Sequence, residues 1–195
     1  MQLNLYRRRI WIYRSLVVVV AGLTLLSAIQ PWWTGDVSSD FIGYVGTIEI
    51  YPYGLSHHGF DLAGYAFHLT ADETPFYQTV IAWIYIITSI GIILLSAWIK
   101  GRKGSWLLGS IGFINIAYAL IAVYIVIARR LNDFNISLQG YSLITTEIPV
   151  NEPVEIYSSL QFGYYLACVA GLLCVIFALF RNLILSNTKS NTWLR

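Results

Sequence analysis

Three histidines and one carboxylate are the residues whose types and spacing most resemble a site for chemistry. His57, His58 and His68 fall in one long polar stretch, and Asp61 follows His57 by four residues and His58 by three. Imidazole and carboxylate groups are common ligands of divalent metals. If this piece were helical, His and Asp would share one face, and these four residues would be candidate metal ligands. The alternative is a polar loop before an apolar segment, with this cluster providing turn chemistry.

Other patterns of catalysis and cofactor binding are missing from the sequence. It contains no HExxH, CxxC, phosphate-loop or dinucleotide-binding glycine pattern. A haem held between helices needs histidine within the apolar segments, and a proton relay needs ionisable residues there. No histidine occurs in these segments and no charged residue lies in their interior, and no basic and aromatic surface for nucleic acid is evident. The sequence therefore predicts a protein that is not an enzyme, holds no cofactor and binds no nucleic acid.

Four long apolar segments must position whatever functional residues the chain carries. Hydrophobic residues make up 57% of the 195 residues and charged residues 11%. A helix needs roughly 20 apolar residues to cross about 30 Å of hydrocarbon, and strands are rarely so long. We predict transmembrane helices over residues 11–29, 76–99, 105–128 and 159–180.

The charges are segregated along the chain and predict the orientation. Ten of the twelve basic residues fall on one side of the four segments, and only Arg129 and Arg130 fall on the other with all ten acidic residues. Basic residues near span ends favour the cytoplasmic side, where anionic lipid headgroups attract them. We therefore predict a multi-pass protein of the cell membrane, in contact with membrane lipid, with both termini cytoplasmic. The cytoplasmic segments are then 1–10, 100–104 and 181–195, and the outer loops are 30–75 and 131–157.

The two outer loops contain patterns typical of strands. Residues 46–51 alternate polar and apolar side chains before Pro52 and Gly54. Residues 135–138 and 141–146, separated by Gln139 and Gly140, resemble a hairpin. Since an isolated hairpin is marginal in water, pairing between the loops is expected. The predicted fold is a mainly α membrane protein forming a single domain over 1–195. It is a four-helix transmembrane bundle with a small antiparallel β-sheet formed by the two extracytoplasmic loops.

This layout resembles claudin-like tetraspan proteins. Trp33 lies early in the first outer loop, and Gly54-Leu55 follows in the run Tyr51-Pro52-Tyr53-Gly54-Leu55. The third residue of that motif is Ser56 instead of tryptophan, and the cysteine pair of the claudin loop is absent. The resemblance implies a left-handed four-helix bundle carrying a small outer sheet, with a role in lateral or partner contacts.

Aromatic residues and small residues supply the remaining candidate sites. Exposed aromatic side chains on an outer sheet often serve binding, although a tryptophan near a span end also anchors a helix at the membrane interface. The predicted interaction residues are Trp32, Trp33, Tyr51, Tyr53, Gly54, Leu55 and Tyr141. The predicted helix-packing residues, chosen for small size or for hydrogen bonding between helices, are Gly109, Gly112, Asn115 and Gly171.

The triplet Asn135-Ile136-Ser137 is an N-glycosylation acceptor pattern on the predicted outer side. The same residues also belong to the first half of the predicted hairpin. A strand at this position would compete with modification of Asn135.

These patterns favour a non-enzymatic membrane protein that acts through protein–protein contacts. It would be an accessory subunit of a larger membrane complex, or a claudin-like scaffold that associates with itself or with other membrane subunits. The alternative is a small membrane enzyme or metal-binding protein that uses the His/Asp cluster of the first outer loop. A third hypothesis, a channel, would place acidic rings such as Asp36 or Glu49 at a cation entrance.

Overall fold

The computed structural model describes residues 2–40, 43–59, 76–99, 101–145 and 153–185. Four helices in these ranges are long and apolar enough to span a membrane, which fits a tetraspan topology. They are α1 (Gln2–Ile29), α2 (Phe76–Ser96), α3 (Arg102–Asp133) and α4 (Phe162–Leu185). A small antiparallel sheet accompanies them.

The helix ends differ from the predicted spans for local reasons. Helix α1 begins at Gln2 instead of residue 11, because the arginine-rich start contains good helix formers and no helix breaker. Helix α4 begins at Phe162 instead of residue 159, because residues through Leu160 belong to a strand. It also continues past Arg181, the predicted stop, to Leu185.

Helix α3 is longer than predicted and changes its winding near its end. It is α-helical over Arg102–Ile121, π-helical over Ala122–Ile127 and α-helical again over Ala128–Asp133. Asn135 then adopts the left-handed conformation, with φ of 58°. The Asn135 N–H donates to the carbonyl of Asn132 (3.1 Å) and the Ile136 N–H to the carbonyl of Leu131 (2.9 Å). This pair of bonds is a Schellman motif, and asparagine is second to glycine at its left-handed position.

Among the residues that the structure describes, the sheet has five strands in the order β3-β2-β1-β5-β4, and every neighbouring pair is antiparallel. In chain order β1 to β3 lie between α1 and α2, and β4 and β5 lie between α3 and α4. The strands are β1 (Trp33–Ser39), β2 (Gly43–Tyr51), β3 (Gly54–Gly59), β4 (Gly140–Thr145) and β5 (Pro153–Leu160).

The predicted hairpin is wrong in its first strand. Residues 135–138 follow the end of α3 and are not a strand, because Asn135 and Ile136 are used to close that helix. The predicted strand 141–146 corresponds to β4, and its partner is β5. The predicted strand 46–51 lies within β2. The prediction missed β3, β5 and β1, and β1 is the central strand that joins the two groups of strands.

The chain forms two compact units. Unit 1 comprises residues 1–26, 86–117 and 166–195, and unit 2 comprises residues 27–85 and 118–165. All ten basic residues other than Arg129 and Arg130 belong to unit 1, which contains no acidic residue. All ten acidic residues belong to unit 2. The charge segregation along the sequence is therefore also a segregation between the units.

The core of unit 1 depends on close approach between α3 and α4. A Cβ atom added to Gly112 would lie 2.6 Å from Cys174 Cβ and 2.7 Å from the carbonyl oxygen of Gly171. One added to Gly109 would lie 3.3 Å from Ala178 Cβ. Buried Ser89 on α2 donates a hydrogen bond of 2.9 Å to Asn115 Oδ1 on α3. The four predicted helix-packing residues thus all lie in contacts between helices.

Arg181 is buried in unit 1, and its side chain joins α4 to the end of α2. Its side chain is 3% exposed, and its guanidinium donates to the carbonyl of Ser96 (3.0 Å) and to that of Ile99. The Ser96 carbonyl ends α2, and the Ile99 carbonyl lies in the turn that follows, where backbone acceptors lack partners within the helix. The guanidinium also lies 5.1 Å from the centre of the Tyr13 ring. A basic residue that looked like a helix stop is therefore an internal cap for another helix.

The core of unit 2 lies under one face of the sheet. Trp33 and Val37 of β1, Ile48 of β2 and Ile156 of β5 are buried there. The Trp33 ring covers Gly35, where a Cβ atom would lie 2.6 Å from the ring. The inward face of β1 is thus filled by one large residue beside a glycine.

Candidate interaction surface of the sheet

The face of the sheet opposite this core carries large exposed side chains at one edge. Successive strand residues point to opposite faces, so burial of Ser142, Val154, Ile156 and Ser158 turns their neighbours outward. The outward side chains include Tyr141 (49% exposed), Leu143 (57%) and Tyr157 (53%). We call these three residues the edge patch. Within the described residues, β4 pairs only with β5, so the patch adjoins the open edge of the sheet.

The edge patch is ordered by pairing within the sheet. Tyr141 and Tyr157 are opposite each other in the register of β4 and β5, and their ring centroids lie 5.3 Å apart. The Tyr141 hydroxyl donates to Glu155 Oε1 at 3.0 Å. That bond raises the pKa of Tyr141 above its ordinary value, because ionisation would place two negative charges together. The aromatic surface is therefore held in a defined geometry.

A hydrogen-bonded polar band adjoins the patch. Gln161 Nε2 donates to Thr34 Oγ1 (2.6 Å) and to Ser159 Oγ (2.7 Å). Thr47 Oγ1 donates to Asp36 Oδ1 at 2.8 Å across the β1–β2 pair. Cross-strand contacts of this kind each stabilise a sheet by a few tenths to about 1 kcal/mol. The band keeps the polar side chains in fixed positions.

The charge of this surface is entirely negative. Asp36 is exposed on β1, and Glu49 on β2 and Glu155 on β5 are half-buried. None of the five strands contains lysine or arginine. The Tyr51 hydroxyl donates to Glu49 Oε2 at 2.7 Å. This bond, with a smaller contribution from burial, raises the pKa of Tyr51 to about 12. An acidic, tyrosine-bearing face of this kind complements a basic partner surface.

Trp32 and Trp33 are not part of this exposed surface. Their side chains are 3% and 0% exposed, so the structure places both in the interior and not on the surface where the interaction prediction expected them. The Trp33 indole N–H donates to the carbonyl of Leu138 (2.9 Å), and that of Trp32 to the carbonyl of Ser27 (2.8 Å). Trp32 also contacts the edge of the Tyr118 ring, with centroids 5.9 Å apart. Both tryptophans are core residues of unit 2.

The predicted residues of the β2–β3 turn are half-buried and lie against helices of unit 2. Tyr53 stacks between Tyr51 (5.3 Å) and Trp83 of α2 (5.0 Å). Thr79 Oγ1 donates to the Tyr53 carbonyl at 3.0 Å, and the Tyr118 hydroxyl donates to the carbonyl of Pro52 at 3.1 Å. Gly54 and Leu55 follow at the start of β3 and are also half-buried. The turn therefore has a structural role in unit 2.

The His/Asp cluster does not have the helical geometry on which the metal hypothesis was based. His57 and His58 occupy consecutive positions of strand β3, opposite Ile48 and Thr47 of β2. Asp61 and His68 lie outside the described residues. Among the side chains that the structure describes, no group of three His, Cys, Asp or Glu residues is arranged to hold a metal ion. A metal site that includes all four predicted ligands stays a prediction.

The glycosylation triplet lies in a turn rather than a strand. Asn135 is exposed at the left-handed position that ends α3, and Ile136 is buried. The backbone N–H of Ser137 donates to Ser142 Oγ at 2.8 Å. The competing strand that the sequence suggested is therefore absent at these three residues, and modification of Asn135 stays a prediction.

Two residues of the edge patch were missed by sequence reasoning. Leu143 lies within a predicted strand, but its outward direction depends on the register of β4 with β5. Tyr157 was assigned to the end of the second loop, next to the predicted fourth span. A signal for it was present in the sequence. Val154, Ile156 and Ser158 occupy every second position and face inward in β5, so Tyr157 between them faces outward.

No known protein-family model matches the sequence, and no curated protein is similar to it. The resemblance to claudin-like proteins is thus limited to what the four apolar helices show, which is a tetraspan topology.

Proposed function

We propose that this protein is a non-enzymatic subunit of the cell membrane that binds the outer part of another membrane protein through its sheet. The observation that carries the proposal is the edge patch, three large side chains about half exposed on an ordered, acidic sheet face. Aromatic residues in such positions are frequent centres of binding energy. The partner expected from charge complementarity is a membrane protein with a basic outer surface.

The proposed orientation places both termini in the cytoplasm and the strands outside. It is supported by the division of charge, because the basic residues near span ends belong almost entirely to unit 1. Segments rich in lysine and arginine are retained on the cytoplasmic side during insertion. The sheet then faces a compartment where a partner's outer domain can reach it. The same placement would serve a claudin-like scaffold, in which the partner is a second copy of this chain, but two acidic sheets would repel, so charge favours a different, basic partner.

The proposal is tested by purifying the full chain from its own membranes in mild detergent after chemical cross-linking. We expect a stoichiometric complex whose cross-links map to the edge patch. Replacing Tyr141 and Leu143 together by serine should weaken that complex at least about tenfold, since each removes an exposed contact group. Tyr44→Ser is the matched control, because Tyr44 is also exposed (63%) but lies on β2, separated from β4 by two strands.

Two results would contradict the proposal. One is a strictly monomeric protein in its native membrane, with no cross-links from the sheet. The other is a complex that Tyr44→Ser and the double variant weaken equally. Cross-links between two copies of this chain would support the scaffold form, and cross-links to a different membrane protein would support the accessory-subunit form.

A further inference from the structure

A groove in unit 1 runs along α3 beside α4. Its volume is about 610 Å³, and it extends from Arg102 to Ile114 on α3. That stretch of helix is about 18 Å long at 1.5 Å per residue, close to the roughly 15 Å of one bilayer leaflet. Trp106 and Phe113 stand along it with 67% and 70% of their surface exposed. The groove thus has the length and the apolar walls that suit one acyl chain.

The polar end of the groove is positively charged, and its unit contains no acidic side chain. Arg102 lines this end, and Lys103 follows it, also exposed. Both lie at the N-terminus of α3, where the helix dipole and free N–H groups favour an anion. Unit 1 contains no aspartate or glutamate in its whole sequence. No side-chain carboxylate of the unit is therefore available to neutralise this end.

A buried polar group at the same end also lacks a partner. Ser105 lines the groove next to Arg102 and is 8% exposed. Within the part of the chain that the structure describes, its hydroxyl has no hydrogen-bond partner. Buried hydroxyls are almost always paired, so an unpaired one beside a groove indicates an absent acceptor. The oxygens of a phosphate ester would supply acceptors at this position.

We propose that this groove binds one anionic phospholipid, with an acyl chain along Trp106 and Phe113 and its phosphate at Arg102 and Ser105. Guanidinium–phosphate contacts are among the stronger charge-assisted hydrogen bonds. Anionic headgroups are abundant at the depth where a basic helix end meets the membrane surface. The site is separate from the edge patch and does not depend on the identity of the sheet's partner.

The test uses native mass spectrometry of the full chain with dioleoyl phosphatidylglycerol or dioleoyl phosphatidylcholine, which share acyl chains. We expect one retained lipid, with phosphatidylglycerol preferred about tenfold. Arg102→Gln should abolish the preference. The matched control Arg8→Gln, which removes an exposed arginine outside the groove, should leave it intact. Ser110→Trp, at an exposed residue that lines the groove, should prevent retention of both lipids.

Several outcomes would overturn the proposal. Equal losses in Arg102→Gln and Arg8→Gln would indicate general attraction to charge. Displacement of the lipid by excess inorganic phosphate would indicate a site for a free anion. A photo-cross-linker placed at position 110 should capture lipid, and capture of a second copy of this chain or of another protein would show that a helix occupies the groove. Unchanged melting temperatures of the lipid-free variants establish that each variant is folded.

Discussion

Gly112→Ala is the sharpest test of how α3 and α4 approach each other. The added Cβ would lie 2.6 Å from Cys174 Cβ and 2.7 Å from the Gly171 carbonyl oxygen. Carbon atoms in favourable contact are about 3.5–4.0 Å apart, so the helices must separate by roughly 1 Å. Overpacking of this kind costs about 1–3 kcal/mol, and the better helix propensity of alanine offsets about 0.5–1 kcal/mol. We expect a net loss of about 1–2 kcal/mol in the free energy of unfolding.

The matched control is Gly91→Ala on α2. A Cβ atom at Gly91 meets no atom within 4 Å, so only the propensity gain applies there. Both variants and the parent protein are compared by thermal melting in the same mild detergent. For a domain of this size, each 1 kcal/mol corresponds to about 2–4 °C in Tm. Gly112→Ala should therefore melt several degrees lower, and Gly91→Ala should melt at the parent temperature or slightly higher.

A double-mutant cycle identifies the contact responsible. Cys174→Gly removes the nearer of the two atoms that the new methyl group meets, while the Gly171 carbonyl remains. The double variant Gly112→Ala, Cys174→Gly should thus recover part of the loss beyond the additive expectation. If Gly112→Ala melts with the parent protein, or if the cycle is strictly additive, the close approach of α3 and α4 at this point is refuted.

Two further predictions concern a buried arginine and a tyrosine in the sheet. Arg181→Met should cost about 3–6 kcal/mol of unfolding free energy, since two charge-assisted hydrogen bonds to the carbonyls of Ser96 and Ile99 are lost; a melting curve matching the parent would contradict this. The phenol of Tyr51 should ionise near pH 12, measured as the ultraviolet titration difference between the protein and Tyr51→Phe, and Glu49→Gln should lower that pKa towards 10. Because the folded pKa is the higher one, Tyr51 stabilises the fold fully below pH 10 and loses this contribution as the pH rises to about 12.

The sequence alone predicted the features that depend on composition and local periodicity. Four apolar segments of membrane-spanning length are helices in the structure. An uncharged apolar run of roughly 20 residues is too long for a strand and has the length of a transmembrane helix. Alternation within residues 46–51 and 141–146 located parts of β2 and β4. The separation of acidic from basic residues was also evident in the sequence, and it coincides with the division into two units.

The strands that were not predicted show where alternation of hydropathy along the chain is not enough to identify a strand. Strand β1 is the centre of the sheet, but two of its inward residues are Gly35 and Ser39, so its hydropathy does not alternate. The inward space at Gly35 is filled by the ring of Trp33, which no count of apolar residues shows. Strand β5 was divided between a loop and a span, because its residues through Leu160 run almost directly into α4.

Only the tertiary structure decided which candidate residues face outward. Trp32 and Trp33 are of a residue type that is common at binding surfaces, yet both are buried. Tyr157 is exposed, because its pairing with Tyr141 places both rings on the outward face of the sheet. Arg181 looked like a helix stop, and its carbonyl partners lie more than eighty positions earlier in the chain. The physical reason is the same in each case. Apolar length and charge are properties of a segment, but exposure and hydrogen-bond partners depend on residues that are distant in sequence and adjacent only after folding.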